Sequence, residues 1–538
     1  MRFAKPITLF CATILFSTAA TVLPALAQSI QVDQLTPASA YDAGVLDQSK
    51  GGLGPSLWQG SSAAQAIAVL EKTRLPLSPS AHTLARAALL SGGVPPESTN
   101  ETERAAYMAA RLSAILKLED MESFDAITQR ENLNKNDPAF AKIFAQRALL
   151  GGNASQACTI ADTNTQGRKE PYWIKLRGFC HYTRGELPAA ELTMELLRRK
   201  GHKDDSFYTL LGYLSAPKKT NFSKDIIKTP LDIAMARKIY AKQQMSINIL
   251  PAIALSSVAL NMDEEPETQL MAMKKSAHLV PERALIQILS VLADAPLEDV
   301  NTLKTGTWTA KDWGGAYLAL KSSMDMKNTA KLTAAILQHA QKAGQFKTFA
   351  ALLSQEISMI PQQIQANTSP EIFAYLAVQN RDLGGLGLLY GALDEDNPLR
   401  PRIALASDAL GGGYMLSALG TDIESRLSLH SKDQKRAIRD TYIAVALGAN
   451  LSHKAENLLA KAGTQSGTSF KPYALLALKA AARRGAQAQT ALIISAMLGN
   501  IPPAALRPDA FAQVLMALRE AGMNDFATQL AAQDFLGL

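Results

Sequence analysis

Apolar residues recur at helical spacing along most of the chain. Ile438, Tyr442 and Val445 stand at positions i, i+4 and i+7, and the same spacing returns from Phe511 to Leu518. This spacing places apolar side chains on one face of an α-helix. No run of residues shows the apolar and polar alternation of a β-strand. The sequence therefore predicts an all-α fold.

Glycines separate consecutive helical segments at a regular distance. Gly448, Gly485 and Gly522 stand 37 residues apart, each between two amphipathic segments. A helical hairpin of this length cannot bury its apolar face alone, so it must stack on the next hairpin. The sequence thus predicts an α-solenoid of stacked helical hairpins.

Breaks in the helical pattern divide the chain into segments. Pro217, Asn221 and Pro230 interrupt the pattern once, and acids with two prolines interrupt it again between Glu395 and Pro401. The predicted segments are a signal peptide (1–27), an extended leader (28–56), N-terminal repeats (57–215), central repeats (230–395) and C-terminal repeats (401–538).

The first residues have the order of a secretory signal. Arg2 and Lys5 precede an apolar stretch from Ile7 to Leu23, and Ala25-Leu26-Ala27 forms a cleavage motif before Gln28. An uncleaved anchor is the alternative, but polar residues interrupt the stretch, which is short of the ~20 strongly apolar residues that span a bilayer. We expect a soluble periplasmic protein after cleavage, with no integral membrane span.

Cysteine usage agrees with export. Removal of the signal peptide would leave Cys158 and Cys180, whose midpoint falls in a turn-like run from Asn164 to Pro171. Two antiparallel helices joined there would carry both sulfurs at similar height, and an oxidising compartment favours a disulfide. A metal site that uses His181 is the alternative, but no further ligands stand nearby.

Charge excludes a dedicated nucleic-acid binder. The net charge of +7 falls to +5 when Arg2 and Lys5 are removed, and acidic and basic residues are interspersed. Nucleic-acid binding would require a basic stripe with stacking aromatic residues. The densest basic run contains Lys218, Lys219, Lys224 and Lys228. We interpret it as a solvated connector; the alternative is contact with an anionic envelope surface.

Common catalytic motifs are absent from the sequence. The histidines form no H-E-x-x-H pair, and neither G-x-S-x-G nor a P-loop motif occurs. Glu424, within Ile423 to Arg426, resembles the Glu-Ser dipeptide of lytic transglycosylases, but the glycine-led segment that follows in that family is missing. We therefore expect Glu424 to be a solvated helix residue and predict no catalytic, cofactor-binding or metal-binding residue.

One unit resembles a tetratricopeptide repeat. Trp173, Leu176, Tyr182 and Ala189, with Gly185 at the turn, follow that pattern, although Tyr182 is offset by two positions and Thr193 replaces the later phenylalanine. The chain as a whole is similar to degenerate, alanine- and leucine-rich helical-repeat proteins of bacterial periplasms. The resemblance implies an interaction role and no catalytic residue.

These features predict a non-enzymatic periplasmic scaffold or adaptor. The expected partner is a protein or peptide of a cell-envelope process, bound on the concave face that stacked hairpins create. The alternative is a carbohydrate- or peptidoglycan-binding module that uses Trp308, Trp313 and Tyr317 as exposed stacking residues. A lytic transglycosylase-like enzyme based on Glu424 is the less favoured alternative.

Overall fold

The computed structural model describes residues 41–74, 77–215, 223–243, 247–302, 306–412, 431–460 and 465–537. These residues form 27 α-helices and six short 3-10 helices, and extended pairing within them is limited to three isolated bridges. The prediction of an all-α fold is confirmed. Residues from 40 onward belong to one compact unit. Among the described helices, none combines the length and the apolar character needed to cross a membrane.

The helices fall into the three parts of the chain that the sequence divided. In the N-terminal part they are α1 (Ala63–Leu70), α2 (Pro79–Leu90), α3 (Glu101–Lys117), α4 (Met121–Arg130), α5 (Ala141–Leu150), α6 (Ala154–Thr163), α7 (Pro171–Thr183), α8 (Leu187–Arg199) and α9 (Asp205–Ser215). The central part contains α10 (Pro230–Gln243), α11 (Ala252–Ala259), α12 (Pro266–Ser276), α13 (Glu282–Val291), α14 (Ala310–Ser322), α15 (Met326–Lys342), α16 (Phe346–Leu352), α17 (Ser354–Met359), α18 (Gln362–Thr368), α19 (Pro370–Gln379) and α20 (Leu383–Ala392). The C-terminal part contains α21 (Arg400–Ala409), α22 (Ser431–Ala446), α23 (His453–Ala460), α24 (Pro472–Arg483), α25 (Gln487–Leu498), α26 (Pro508–Glu520) and α27 (Asn524–Leu536).

Local sequence explains where many of these helices begin and end. Ser62 and Gln65 form a capping box at the start of α1, and Thr309 and Asp312 form another at the start of α14. Each box satisfies backbone N–H groups that have no partner within the helix. Proline in the first turn starts several other helices, including α7 and α26.

The three regularly spaced glycines lie just after helices and have left-handed backbones. Their φ angles are 98° at Gly448, 70° at Gly485 and 78° at Gly522. A residue with a β-carbon adopts this conformation at an energetic cost, so glycine is favoured there. The 37-residue spacing in the sequence therefore corresponds to one recurring backbone turn.

Many helices that are consecutive in the chain pack against each other, as in the series α5, α6, α7 and α8. Other contacts join distant parts of the chain. Helix α2 packs against α25, and α27 packs against both α19 and α21. In a simple linear array each hairpin contacts only its neighbours. The array of hairpins expected from the sequence does not account for these additional contacts. The arrangement of the hairpins as a solenoid remains a prediction.

Hydrogen bonds reinforce the junction between the first and last helices. The amide of Ala488 donates to the carbonyl of Leu57 over 2.9 Å, and the amide of Ser78 donates to the carbonyl of Gly499 over 2.7 Å. The hydroxyl of Ser61 donates to Oε1 of Gln489 over 2.8 Å. The N-terminal helices are thus fixed to the C-terminal part of the same unit.

The described end of the predicted leader is also held in place. The amides of Val45 and Leu46 donate to the carbonyl of Leu90 at the end of α2. Trp58, which follows the leader, is buried and makes an edge-to-face contact with Tyr107 of α3. Residues 28–40 of the leader and the predicted signal peptide lie outside the described residues.

Candidate binding cavity

A cavity of about 860 Å³ lies between helices from all three parts of the chain. Its walls include the segment 48–54 and α2, five residues between Gln341 and Arg381 of the central part, and residues of α22, α25 and α27. This volume falls in the range of natural ligand pockets, which is roughly 300–1,000 Å³. The contacts between distant helices therefore form a space that no single hairpin contains.

Carboxamide side chains are the commonest polar groups of the cavity wall. They are Gln48, Gln341, Gln379, Gln487, Asn524, Gln529 and Gln533. Each carboxamide has an acceptor oxygen and a donor nitrogen, so the wall can bind groups of both kinds. Two of them also hold the wall together: Gln487 accepts from the amide of Gly54 over 2.8 Å, and Gln529 donates to the carbonyl of Val378 over 2.6 Å.

Arginines line the C-terminal wall of the cavity, where they form ion pairs with carboxylates. Arg439 binds both carboxylate oxygens of buried Asp534, over 2.8 and 2.6 Å, and also donates to the carbonyls of Leu506 and Pro503. Arg436 lies 2.8 Å from Asp440. The buried bidentate pair of Arg439 and Asp534 fixes the relative position of α22 and α27, whereas Arg436 and Asp440 both lie on α22. The positive charges of Arg436 and Arg439 are therefore neutralised within the protein.

A third arginine of the wall also pairs with a carboxylate. Arg381 lies 3.0 Å from the carboxylate of Asp525 and donates to the backbone carbonyl of that residue, also over 3.0 Å. This pair joins the end of α19 to the start of α27. Because the acids of the cavity wall, Asp525 and Asp534, both face arginines, they add no free negative charge to the cavity.

Lys347 of α16 forms the opposite wall, beside α2. Its ammonium group donates to the hydroxyl of Thr83 over 3.4 Å. Surrounding protein lowers the pKa of Lys347 by desolvation, and Arg86 lowers it further through charge repulsion. Within the described residues, no carboxylate lies within ion-pair distance of Lys347. This end of the cavity thus has an excess of positive charge.

Two histidines lie near this basic end. Burial, together with the charges of His278, Arg86 and Lys347, lowers the pKa of His82 to about 4. Burial also lowers the pKa of His278, although a hydrogen bond with Gln345 opposes the shift. Neutral histidines avoid adding positive charge beside Lys347 and Arg86.

The structure corrects the expectation that three aromatic residues are exposed. Trp308 and Trp313 are each 1% exposed and Tyr317 is 2% exposed, so all three belong to the hydrophobic core. Trp308 stacks on His339 with ring centroids 4.0 Å apart and meets Trp313 edge to face. The sequence places them at the start of an amphipathic helix, where their apolar rings pack inward. They present no platform for a sugar.

Cys158 and Cys180 are brought together as the turn between their helices suggested. The disulfide connects α6 to α7, with Cα atoms 5.6 Å apart. His181, the alternative metal ligand, instead lies 2.6 Å from Glu186 in the following turn. No group of three or more metal-ligating side chains occurs within the described ranges. Glu424 and the lysines at 218 and 219 lie outside those ranges.

The repeat-like unit forms a helical hairpin of α7 and α8. Trp173 and Leu176 are buried in α7, and Gly185 has a φ of 80° in the turn before α8. Comparison of the chain with family models, curated proteins and solved structures finds no match. Tetratricopeptide membership therefore remains an interpretation of the residue pattern.

Sequence patterns did not indicate the cavity or its basic end. Lys347 lies more than 250 residues along the chain from Thr83 and Arg86, which share α2, and no spacing rule connects it to them. The one sequence signal for Lys347 was its position directly after Phe346, where α16 begins. A lysine in the first turn is common on solvated helices, so this position does not indicate a cavity. Only the packing of distant helices shows which lysine faces a cavity.

Proposed function

We propose that the protein is a non-enzymatic binding protein that receives a short peptide segment of a cell-envelope partner in the cavity. The observation that carries the proposal is the carboxamide-rich wall of the cavity. A peptide presents one N–H donor and one C=O acceptor per residue, which carboxamides can bind in either sense. The proposed site replaces the concave outer face that the sequence suggested.

Apolar groups in the same wall fit a peptide better than a purely polar ligand. Leu53, Leu84, Phe526 and Leu530 lie among the carboxamides, and Tyr375 adds an aromatic ring. A peptide carries both apolar and polar side chains, so a mixed wall can accept groups of both kinds. We place this function in the periplasm because the signal-like N-terminus and the cysteine pair are typical of exported proteins.

A photo-crosslinking residue at position Gln379 tests the proposal. Gln379 lines the cavity from α19, whereas Gln355 of α17 lies on the exposed surface and serves as the control position. Irradiation of cells should attach a peptide segment of one partner at position 379 and not at position 355. Mass spectrometry identifies the attached group as peptide or as glycan.

A second variant links the result to the cavity. Gln341→Trp would fill part of the cavity from α15, and the adduct at position 379 should then decrease strongly. Gln355→Trp adds the same side chain outside the cavity and should leave the adduct unchanged. A glycan adduct, or a protein adduct that survives the filling of the cavity, would contradict the proposed function.

A further inference from the structure

The basic end of the cavity contains a cation that the protein does not neutralise. Four cationic side chains line the cavity: Arg381, Arg436, Arg439 and Lys347. The three arginines are within 3.0 Å of carboxylates. Lys347 instead has the hydroxyl of Thr83, a neutral acceptor, at 3.4 Å. The four cations therefore differ in their capacity to bind an additional negative charge.

Asp120, the acid that pairs with Arg86, already has partners for both of its carboxylate oxygens. Oδ2 of Asp120 accepts from Nε of Arg86 over 3.1 Å, and its Oδ1 caps α4 by accepting from the amide of Ser123 over 3.0 Å. Asp120 thus fixes Arg86 behind α2 and stabilises the start of α4. Its negative charge is balanced by Arg86, so it leaves the charge of Lys347 uncompensated.

The position of Lys347 makes this charge available to a ligand. Its side chain is solvent-accessible and lies on the cavity wall beside Ser80 and Thr83 of α2. Burial is the main cause of the low pKa of His82, and the charges of His278, Arg86 and Lys347 act in the same direction. A cation that is partly desolvated gains more from an opposite charge than one in bulk water.

We propose that Lys347, positioned by the Thr83 hydroxyl, recognises a carboxylate of the bound peptide. This inference rests on the proposed peptide-binding function and specifies its ligand as an acidic peptide. The ammonium group supplies both the positive charge and the hydrogen-bond donors. The Thr83 hydroxyl donates its own proton to the carbonyl of Pro79 over 2.9 Å and accepts from the ammonium group, so it positions Lys347. The carboxylate is either an Asp or Glu side chain or the C-terminus of the peptide.

Four pools of short synthetic N-acetylated peptides test the proposal. The pools combine a free or amidated C-terminus with the presence or absence of Asp and Glu. The purified protein is immobilised, and mass spectrometry measures the peptides that it retains. Peptides with either kind of carboxylate should be enriched about ten-fold or more over neutral amidated peptides, since a charge-assisted hydrogen bond contributes about 1.5–3 kcal/mol.

Matched variants assign the preference to the lysine. Lys347→Gln should reduce the enrichment to about one-fold, whereas Lys347→Arg should retain it. Lys327→Gln removes the same charge from the exposed start of α15, about 21 Å along that helix from Gln341, and should have no effect. Circular dichroism verifies that each variant remains folded.

The possible results separate the two proposals. Equal retention of acidic and neutral peptides, or an acidic preference that survives Lys347→Gln, would refute carboxylate recognition while peptide binding stands. A fifth, amidated pool contains phosphoserine and no Asp or Glu. Stronger Lys347-dependent retention of this pool than of the carboxylate pools would also refute carboxylate recognition, because the anion would then be phosphate. If no pool is retained above the level of Gln341→Trp, peptide binding itself fails, and the inference fails with it.

Discussion

Glu119 shows how far a single ionisable group can depart from its ordinary behaviour in this fold. The carboxyl lies in the turn between α3 and α4, where the backbone has a φ of 61° and the residue is 7% exposed. Burial raises its pKa to about 7, although the amide of Ile253 and the charge of Arg237 both favour the ionised form. The sequence gives no sign of this, because the burial comes from α10 and α11, more than 100 residues later in the chain.

Replacement of Glu119 by Gln should stabilise the protein at pH 8. The folded state binds the proton of Glu119 more tightly than the unfolded state, whose pKa is about 4.5. The stability that this group contributes is therefore present below about pH 4.5 and is lost as the pH rises to about 7. Gln cannot ionise, so the gain in unfolding free energy should approach 3 kcal/mol at pH 8 and vanish near pH 4. Urea unfolding at both pH values measures it.

The exposed Glu122, one turn away on α4, provides the control for this measurement. Glu122→Gln should change the unfolding free energy by less than about 0.5 kcal/mol at either pH. An equal effect of Glu119→Gln at pH 4 and pH 8 would show that Glu119 does not carry the expected proton.

At the scale of helices, sequence patterns had their greatest predictive value. The spacing of apolar residues and the glycines at 448, 485 and 522 indicated helices and the turns that end them, because both depend on local backbone preferences. The aromatic residues Trp308 and Trp313 were harder to place. Helical spacing shows that such residues share a face, but only the neighbouring helices determine whether that face is covered.

The disulfide between α6 and α7 should stabilise their hairpin contact. Thiol labelling of the denatured, unreduced protein should find Cys158 and Cys180 unreactive. Substitution of both by Ser should lower the unfolding free energy by about 3 kcal/mol, because the unfolded chain regains the freedom of the closed loop. Reduced wild-type protein is the matched control and should unfold at the same urea concentration as the double variant. Two labelled thiols in the unreduced sample would contradict the pairing.

The whole molecule depends on contacts that sequence patterns could not supply. The expected array of hairpins accounts for neighbouring contacts such as α7 with α8, whereas α2 also packs on α25, about 400 residues away in the chain. The direction of each successive helix depends on small crossing angles that accumulate over many hairpins. For this reason the sequence predicted most of the helices that line the cavity. It did not predict the cavity itself, which lies between distant helices.

Gln489 offers a direct test of whether the two ends of the unit are energetically coupled. The buried Oε1 atom accepts from the hydroxyl of Ser61 over 2.8 Å and from Arg484 over 2.9 Å. Gln489→Ala leaves these donors without their acceptor and should cost about 1–3 kcal/mol. Because Ser61 precedes α1, hydrogen exchange should accelerate in α1 and α2 as well as in α25. The exposed Gln355→Ala serves as control and should leave exchange unchanged. Acceleration confined to α25 would show that the N-terminal helices are stable without this junction.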